Sequence, residues 1–467
     1  MTTEPTATPA KAKRPLSPFL VLGIVGVVVT ALSFTGGLLL HPGASNPDAN
    51  PTAEVRPVPA EPVGAQVVRT CSVGKALGAR ALDNETAIVI DSETGNRLLA
   101  DNADDAVPMG SVMKLVTATV ALDVLGPDGR LTTRVVDGST AGTVIVVAGG
   151  DPTLRAGGSS VYPGAASISE LASQTVSAYQ QKHPDSPTIT RVLVDLSMFP
   201  KDDAWHSTWP QSERTIGYQP LIVPFMVDGD RANPGLQTSP RSTDPAGRAA
   251  AAFVAALQQA GNGDGDVTVD YQSAPSNARE LASVQSAPVS KLISQMLLNS
   301  DNTLAEFLMR AASVQAGFNG GTDSIQQVVL SSLNKHGADM TGGNFVDGSG
   351  ESKKDVIPPR AMVELVSQIF QGDPQLAMIG DDLPVAGQSG TLASRFTGKA
   401  SSARGHVQAK TGWINGVYAL AGQIETKGNG RLFFVVVARG KVTSSAMPAI
   451  DNLVAGMYSC GTNLASY

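Results

Sequence analysis

A serine with a lysine three residues on is a small arrangement able to make a nucleophile. On a helix the lysine returns to the serine's face one turn later, where it can take the hydroxyl proton. The spacing occurs at Ser72-Val-Gly-Lys75, Ser111-Val-Met-Lys114 and Ser332-Leu-Asn-Lys335. Ser72 has the helix-breaking Gly74 before its lysine, and Ser332 lies in the mixed-polarity run SIQQVVLSSLNKHG, so both are expected to be surface pairs. Ser111 differs, because Val112 to Leu125 is apolar on every face, with Lys114 and Asp123 the only charges. That pattern predicts a helix buried all round. Alone, Ser111 would read as its cap; a lysine buried in that helix needs a reason.

Two further motifs follow in order. Ser300-Asp301-Asn302 falls where one helical pattern breaks and the next begins. Lys410-Thr411-Gly412 occurs once, in the first of three strand-like runs (GHVQAKTGWING, VYALAGQIET and RLFFVVVARG) that predict adjacent antiparallel strands before a final helix around SSAMPAIDNLVAGMY.

The ordered triplet resembles the active-site signature of penicillin-binding proteins and serine β-lactamases. Roughly 190 residues separate Ser111 from Ser300, which implies an inserted module. With GGDPTL at 149–154, DLSMF at 195–199, DGSG at 347–350 and SGTLASRF at 389–396, residues 75–460 look like the DacB-type D-alanyl-D-alanine carboxypeptidases, class C low-molecular-mass penicillin-binding proteins. The resemblance implies Ser111 as nucleophile and Lys114 as base, with Ser300 relaying a proton and Asn302 orienting the substrate amide. It implies Lys410 and Thr411 as ligands of a terminal carboxylate, with Asp301, Gly412 and Trp413 completing the substrate site. The oxyanion donors would be the backbone N–H groups of Ser111 and Trp413. Trp413 departs from the family's small hydroxyl residue after Lys-Thr-Gly, which implies a narrower mouth. Burial, with Lys410 as a nearby cation, would push the Lys114 pKa down. Asp195, Ser197 and Asp202 fall on a strand and loop that in this family can touch the stem peptide, although a solvated loop is the plainer reading.

The elements that position these residues divide the chain. The fold expected is α/β (α+β), of the penicillin-binding-protein/β-lactamase type: an antiparallel sheet flanked by helices, formed by 68–132 and 281–467. A β-rich inserted domain is expected over 133–280, where GTVIVVAGG and TRVLVDLSMF alternate with Gly/Pro/Ser loops around one clear helix, GRAAAAFVAALQQAG. Residues 85–100 predict a hairpin.

Ahead of this, residues 1–14 read as a cytoplasmic tail and 15–40 as a transmembrane helix or signal anchor. More than twenty uncharged residues follow Pro18, and Lys11, Lys13 and Arg14 precede them; a cleaved signal peptide is the alternative. The Pro/Ala-rich stretch 41–67 reads as a linker. An exported location makes a disulfide between the only two cysteines, Cys71 and Cys460, the expectation; two separate buried thiols are the alternative.

A net charge of -7 with no basic stripe argues against a nucleic-acid partner. The histidines, His41, His183, His206, His336 and His406, show no metal spacing, so no metal or cofactor is expected. The function expected is serine-type D-Ala-D-Ala carboxypeptidase, with D,D-endopeptidase activity, on peptidoglycan stem peptides. β-Lactams would be covalent inhibitors, and the membrane a partner through the N-terminal helix. The alternatives are a β-lactamase, disfavoured by the long insertion and by the lack of a deacylating glutamate motif after SDN, and a non-catalytic wall-binding protein.

Overall fold

The computed structural model describes residues 68–465. The expected tail, membrane helix and linker, residues 1–67, lie outside the described residues. Among the described residues no helix is long and apolar enough to cross a membrane.

A short helix, α1 (Gly74–Leu77), leads into the expected hairpin, β1 (Thr86–Asp91) and β2 (Arg97–Asp101). Then come the Ser111 turn (Gly110–Met113) and α2 (Lys114–Leu125). The next stretch holds β3 (Thr132–Asp137), β4 (Thr143–Val147), α3 (Ile168–Lys182), β5 (Arg191–Asp195), α4 (Ser212–Ile216), α5 (Pro245–Gln259), β6 (Thr268–Tyr271) and β7 (Glu280–Gln285). After it stand α6 (Val289–Asn299), α7 (Asn302–Gln315), α8 (Thr322–Lys335), α9 (Pro359–Ser367) and α10 (Ala377–Asp381). The chain closes with β8 (Val407–Ile414), β9 (Val417–Glu425), β10 (Arg431–Arg439) and α11 (Ala446–Cys460).

The first sheet has the order β2-β1-β10-β9-β8 and is antiparallel throughout. Its central strand β10 is buried on both faces, which is why it reads as a continuous apolar run instead of an alternating one. Phe433, Val435 and Val437 enter a core with α2 and α6 to α9, whereas Leu432, Phe434 and Val436 enter a second core with Leu453, Val454 and Met457 of α11. Helix α2 is buried from Lys114 to Leu122 and packs on α6, α7 and α8, so the all-apolar pattern was that of a central helix.

The second sheet, β6-β5-β4-β3-β7, is mixed: β4, β5 and β6 run parallel, and β3 is antiparallel to β4 and β7. Residues 133–280, expected to be β-rich around one helix, which is α5, carry α3 as well, and both helices pack into this sheet's core. The sequence does mark α3: the Ser167 hydroxyl accepts from the Glu170 N–H, the start of a Ser-x-x-Glu capping pattern. Its polar composition hid that signal. Ser332, expected at the surface, is a further correction. It is 1 % exposed, because α8 turns it inward while Lys335 on the outer face pairs with Asp123.

Cys71 and Cys460 form a disulfide, with Cα atoms 5.4 Å apart across 389 residues of sequence. It ties the start of the described chain to the end of α11, so it restrains nearly the whole unfolded chain. Replacing both cysteines by serine is expected to lower stability by about 2–5 kcal/mol, measured by urea unfolding followed by circular dichroism.

Candidate active site

Gly110, at φ +53°, turns the chain into the Ser111 turn, and a side chain there would bring its Cβ within 2.9 Å of the Trp413 nitrogen. Gly412 is equally constrained, since a Cβ would lie 2.0 Å from the Met109 carbonyl oxygen. These two glycines let the turn lie flush against β8, so the segments carrying the Ser111 and Trp413 amides touch.

Lys114 is fully buried and donates to the Ser111 hydroxyl at 2.7 Å, to Asn302 Oδ1 at 2.7 Å and to the Ser349 carbonyl at 2.8 Å. Burial pushes its pKa from 10.5 down to about 8, against the opposing pull of Asp347, Glu306, Glu351 and Asp301. The expected effect of burial is thus present, whereas the expected contribution of Lys410 is corrected: the charges acting on Lys114 are carboxylates.

The Ser349 carbonyl is aimed at Lys114 by the DGSG turn. Asp347 Oδ1 accepts from the Ser349 and Gly350 amides at 3.0 and 2.6 Å, and Glu306 Oε1 accepts from the Gly348 and Ser349 amides at 3.1 and 2.8 Å.

Ser300 ends α6 in the left-handed region, at φ +55° and ψ +42°, a conformation that costs a non-glycine residue about 1–2 kcal/mol. Its hydroxyl accepts from Lys410 Nζ at 2.9 Å. Lys410 also donates to the Thr411 carbonyl at 2.9 Å; burial first, then Lys114, hold its pKa well below the ordinary lysine value. The Thr411 hydroxyl donates to Thr391 at 2.9 Å, which brings in the Ser389-Gly-Thr391 segment. Trp413 is 51 % exposed and meets Tyr218 edge to face, ring centres 6.3 Å apart.

Asp301, expected to bind substrate, lines the cleft, but its carboxylate is committed to holding the fold. It caps α7 by accepting from the Leu304 N–H at 3.2 Å. It also accepts from Arg231 and Gln237, both at 2.9 Å, and from the Tyr162 hydroxyl at 3.1 Å. Burial raises its pKa, yet Arg231 and Arg241 outweigh burial and leave it below the usual carboxylate range. Both partners of the Asp301–Arg231 pair are 1 % exposed.

Ser111, Ser300, Asn302, Thr411 and Trp413 line one cleft of about 240 Å³. Residues from 133–280 form its other wall: Glu213, Tyr218, Arg231, Gln237 and Arg241. That wall was not expected from the sequence, nor were Glu351, which directly follows DGSG, and Thr391, which lies within SGTLASRF, expected as site residues. Asp195 sits elsewhere, its oxygens taken by the Ser197 and Ala274 amides at 2.9 and 2.8 Å. The rival serines stand apart from the cleft, Ser72 exposed and Ser332 buried in α8. A larger groove of about 430 Å³, lined by Ala76, Lys399 and α11 residues, holds none of the motif residues. Among the described residues no cluster of His, Cys, Asp and Glu is arranged to hold a metal.

The D-Ala-D-Ala carboxypeptidase 3 (S13) family matches residues 72–240 and 231–459. Carboxypeptidase DacB of Mycolicibacterium smegmatis is 33 % identical, over 94 % of this chain and 95 % of that one. The D-alanyl-D-alanine carboxypeptidase of an Actinomadura species is 27 % identical, over 76 % and 77 %. The crystal structure of penicillin binding protein 4 (dacB) from Haemophilus influenzae superposes with a TM-score of 0.68 at 18 % identity, covering 83 % of this chain and 99 % of that one, and so shares the fold.

Asp301→Ala would leave the Arg231 guanidinium buried and unpaired, a change expected to cost about 3–5 kcal/mol; thermal and urea unfolding of the variant measure it.

Proposed function

Because the chain belongs to the D-Ala-D-Ala carboxypeptidase 3 (S13) family, we infer that Ser111 is the nucleophile of a serine D-Ala-D-Ala carboxypeptidase acting on peptidoglycan stem peptides. The observation that carries this assignment is the contact of a fully buried Lys114 with the Ser111 hydroxyl at 2.7 Å. Neutral Lys114 takes the hydroxyl proton, and Ser111 Oγ bonds to the carbonyl carbon of the penultimate D-alanine. The developing oxyanion is stabilised by the amides of Ser111 and Trp413.

Lys410 and Thr411 face the terminal carboxylate. An ammonium–carboxylate pair at about 4 Å and an effective dielectric near 20 is worth roughly 4 kcal/mol before desolvation. That attraction selects a chain end, and an arriving carboxylate raises the depressed Lys410 pKa again. Because the Ser300 hydroxyl accepts from Lys410, its own proton is free to pass to the leaving amine, and the proton Lys114 took from Ser111 then replaces it, leaving Lys114 neutral again. D-Alanine departs, and water releases the acyl group. Cleavage of cross-links is the companion activity, since it breaks the same kind of bond after D-alanine, and β-lactams acylate the same serine.

Residues 15–40 anchor the enzyme as a single-pass membrane protein with its catalytic part on the extracytoplasmic side, a reading supported by the uncharged run and the basic residues before it. Fractionation of cells expressing the chain with and without residues 1–40 tests this: release of the shortened form alone supports it, and identical partition of both sinks it.

Fluorescent penicillin is expected to label the parent covalently and to leave Ser111→Ala unlabelled on a denaturing gel. Label in both would move the nucleophile elsewhere. Acylation needs the neutral lysine, so its rate is expected to rise about tenfold per pH unit below about 8 and to level above that value, measured by stopped-flow labelling between pH 5 and 10.

A further inference from the structure

Release of the acyl group needs a base for the attacking water, and most charged groups of the cleft are committed. Lys114 donates to Ser111, Asn302 and Ser349; Lys410 donates to Ser300 and Thr411. Asp301 is occupied by Arg231, Gln237, Tyr162 and the α7 cap. The exceptions are Glu213 and Glu351, and of the two only Glu351 is bonded to the Lys114 network. Its carboxylate lines the cleft with Ser111 and makes one side-chain hydrogen bond among the described residues, from Asn302 Nδ2 to Oε2 at 3.4 Å.

The Asn302 amide therefore bridges the two halves of the chemistry: its oxygen accepts from Lys114 and its nitrogen donates to Glu351. No glutamate motif close after SDN announced this residue. The fold brings it from 49 positions along the chain, next to the turn that presents the Ser349 carbonyl.

We propose that Glu351 is the catalytic base of deacylation, a role that rests on Ser111 forming the acyl-enzyme. The Glu351 carboxylate takes a proton from water as the water oxygen bonds to the ester carbonyl carbon. The bond from that carbon to Ser111 Oγ then breaks, and Oγ recovers its proton from Lys114. That proton is the one Glu351 took from water, passed to Lys114 through the solvent of the cleft. The products are the free acid and the starting enzyme, with no other reactant. With a β-lactam the same step hydrolyses the adduct, so the chain would slowly turn over its own inhibitor.

Several charged groups face Glu351: Glu213 of α4, Asp347 of the DGSG turn, Lys114 of α2 and Glu306 of α7. Burial, then Glu213 and Asp347, raise its pKa to about 8, while Lys114 opposes and Glu306 adds. The carboxylate thus grows in as pH rises through about 8, and deacylation should accelerate over the same interval.

The test follows loss of label from the full-length chain, preformed as its fluorescent penicilloyl adduct and freed of excess reagent, between pH 6 and 10. Glu351→Gln should take label as completely as the parent, release it about 100-fold more slowly and lose the rise with pH. Equal release from parent and variant at every pH overturns the role of Glu351 and leaves Ser111 acylation standing; no label in the parent overturns both. Should the glutamine variant fold poorly, Glu351→Asp decides. Slower release with the rise retained supports the proposal, and release at the parent's rate overturns it.

Discussion

A lysine ammonium with no solvent access is tolerable only if every proton it carries has an acceptor. Lys114 has three, and each comes from a different part of the fold: the turn before its own helix, the first residue of α7, and the DGSG turn. That requirement organises the structure around it. Helix α2 must run through the centre, α6 must stop one residue short of where α7 starts its cap, and a carbonyl must be turned inward by two carboxylates. The left-handed Ser300 and the buried pair Glu306 and Asp347 are features with a local cost that this lysine explains.

The segment 133–280 is joined to the same centre by charge. Arg231 reaches across to Asp301, the middle residue of a motif whose flanking residues face the chemistry. Packing the insert and capping α7 are therefore one interaction. The insert also brings Tyr218 to Trp413 and Glu213 into the cleft, so the wall opposite the nucleophile is not made by the peptidase segments alone.

What could be read in the sequence was whatever depends on neighbours along the chain. The all-apolar register of α2, the break between α6 and α7, and the three terminal strands are patterns of adjacent residues, and they placed Ser111, Lys114, Ser300, Asn302 and Lys410. The parallel pairs β4–β5 and β5–β6, the Asp301–Arg231 contact and the approach of Glu351 to Asn302 depend on loops closing over tens of residues. No local period records them. Ser332 shows the reverse error, since a locally mixed composition concealed an inward-facing position. At Asp301 the motif showed where the residue sits, whereas its task was set by a partner 70 positions earlier.

The antiparallel sheet has its own consequence. Its middle is the pairing of β1 with β10, Thr86 opposite Val437, and nearly the whole described chain lies between them. The hairpin of β1 and β2 can form early, but it remains a two-stranded ribbon without a partner until the last strand has been synthesised. Contacts so distant in sequence make folding slow, with much of the closure entropy lost before the sheet stabilises anything. The unpaired edge of β1 is meanwhile a template for the wrong strand. This enzyme is thus most exposed to aggregation in the interval before its C-terminus arrives, and a chain truncated within β10 would lose its centre rather than its edge.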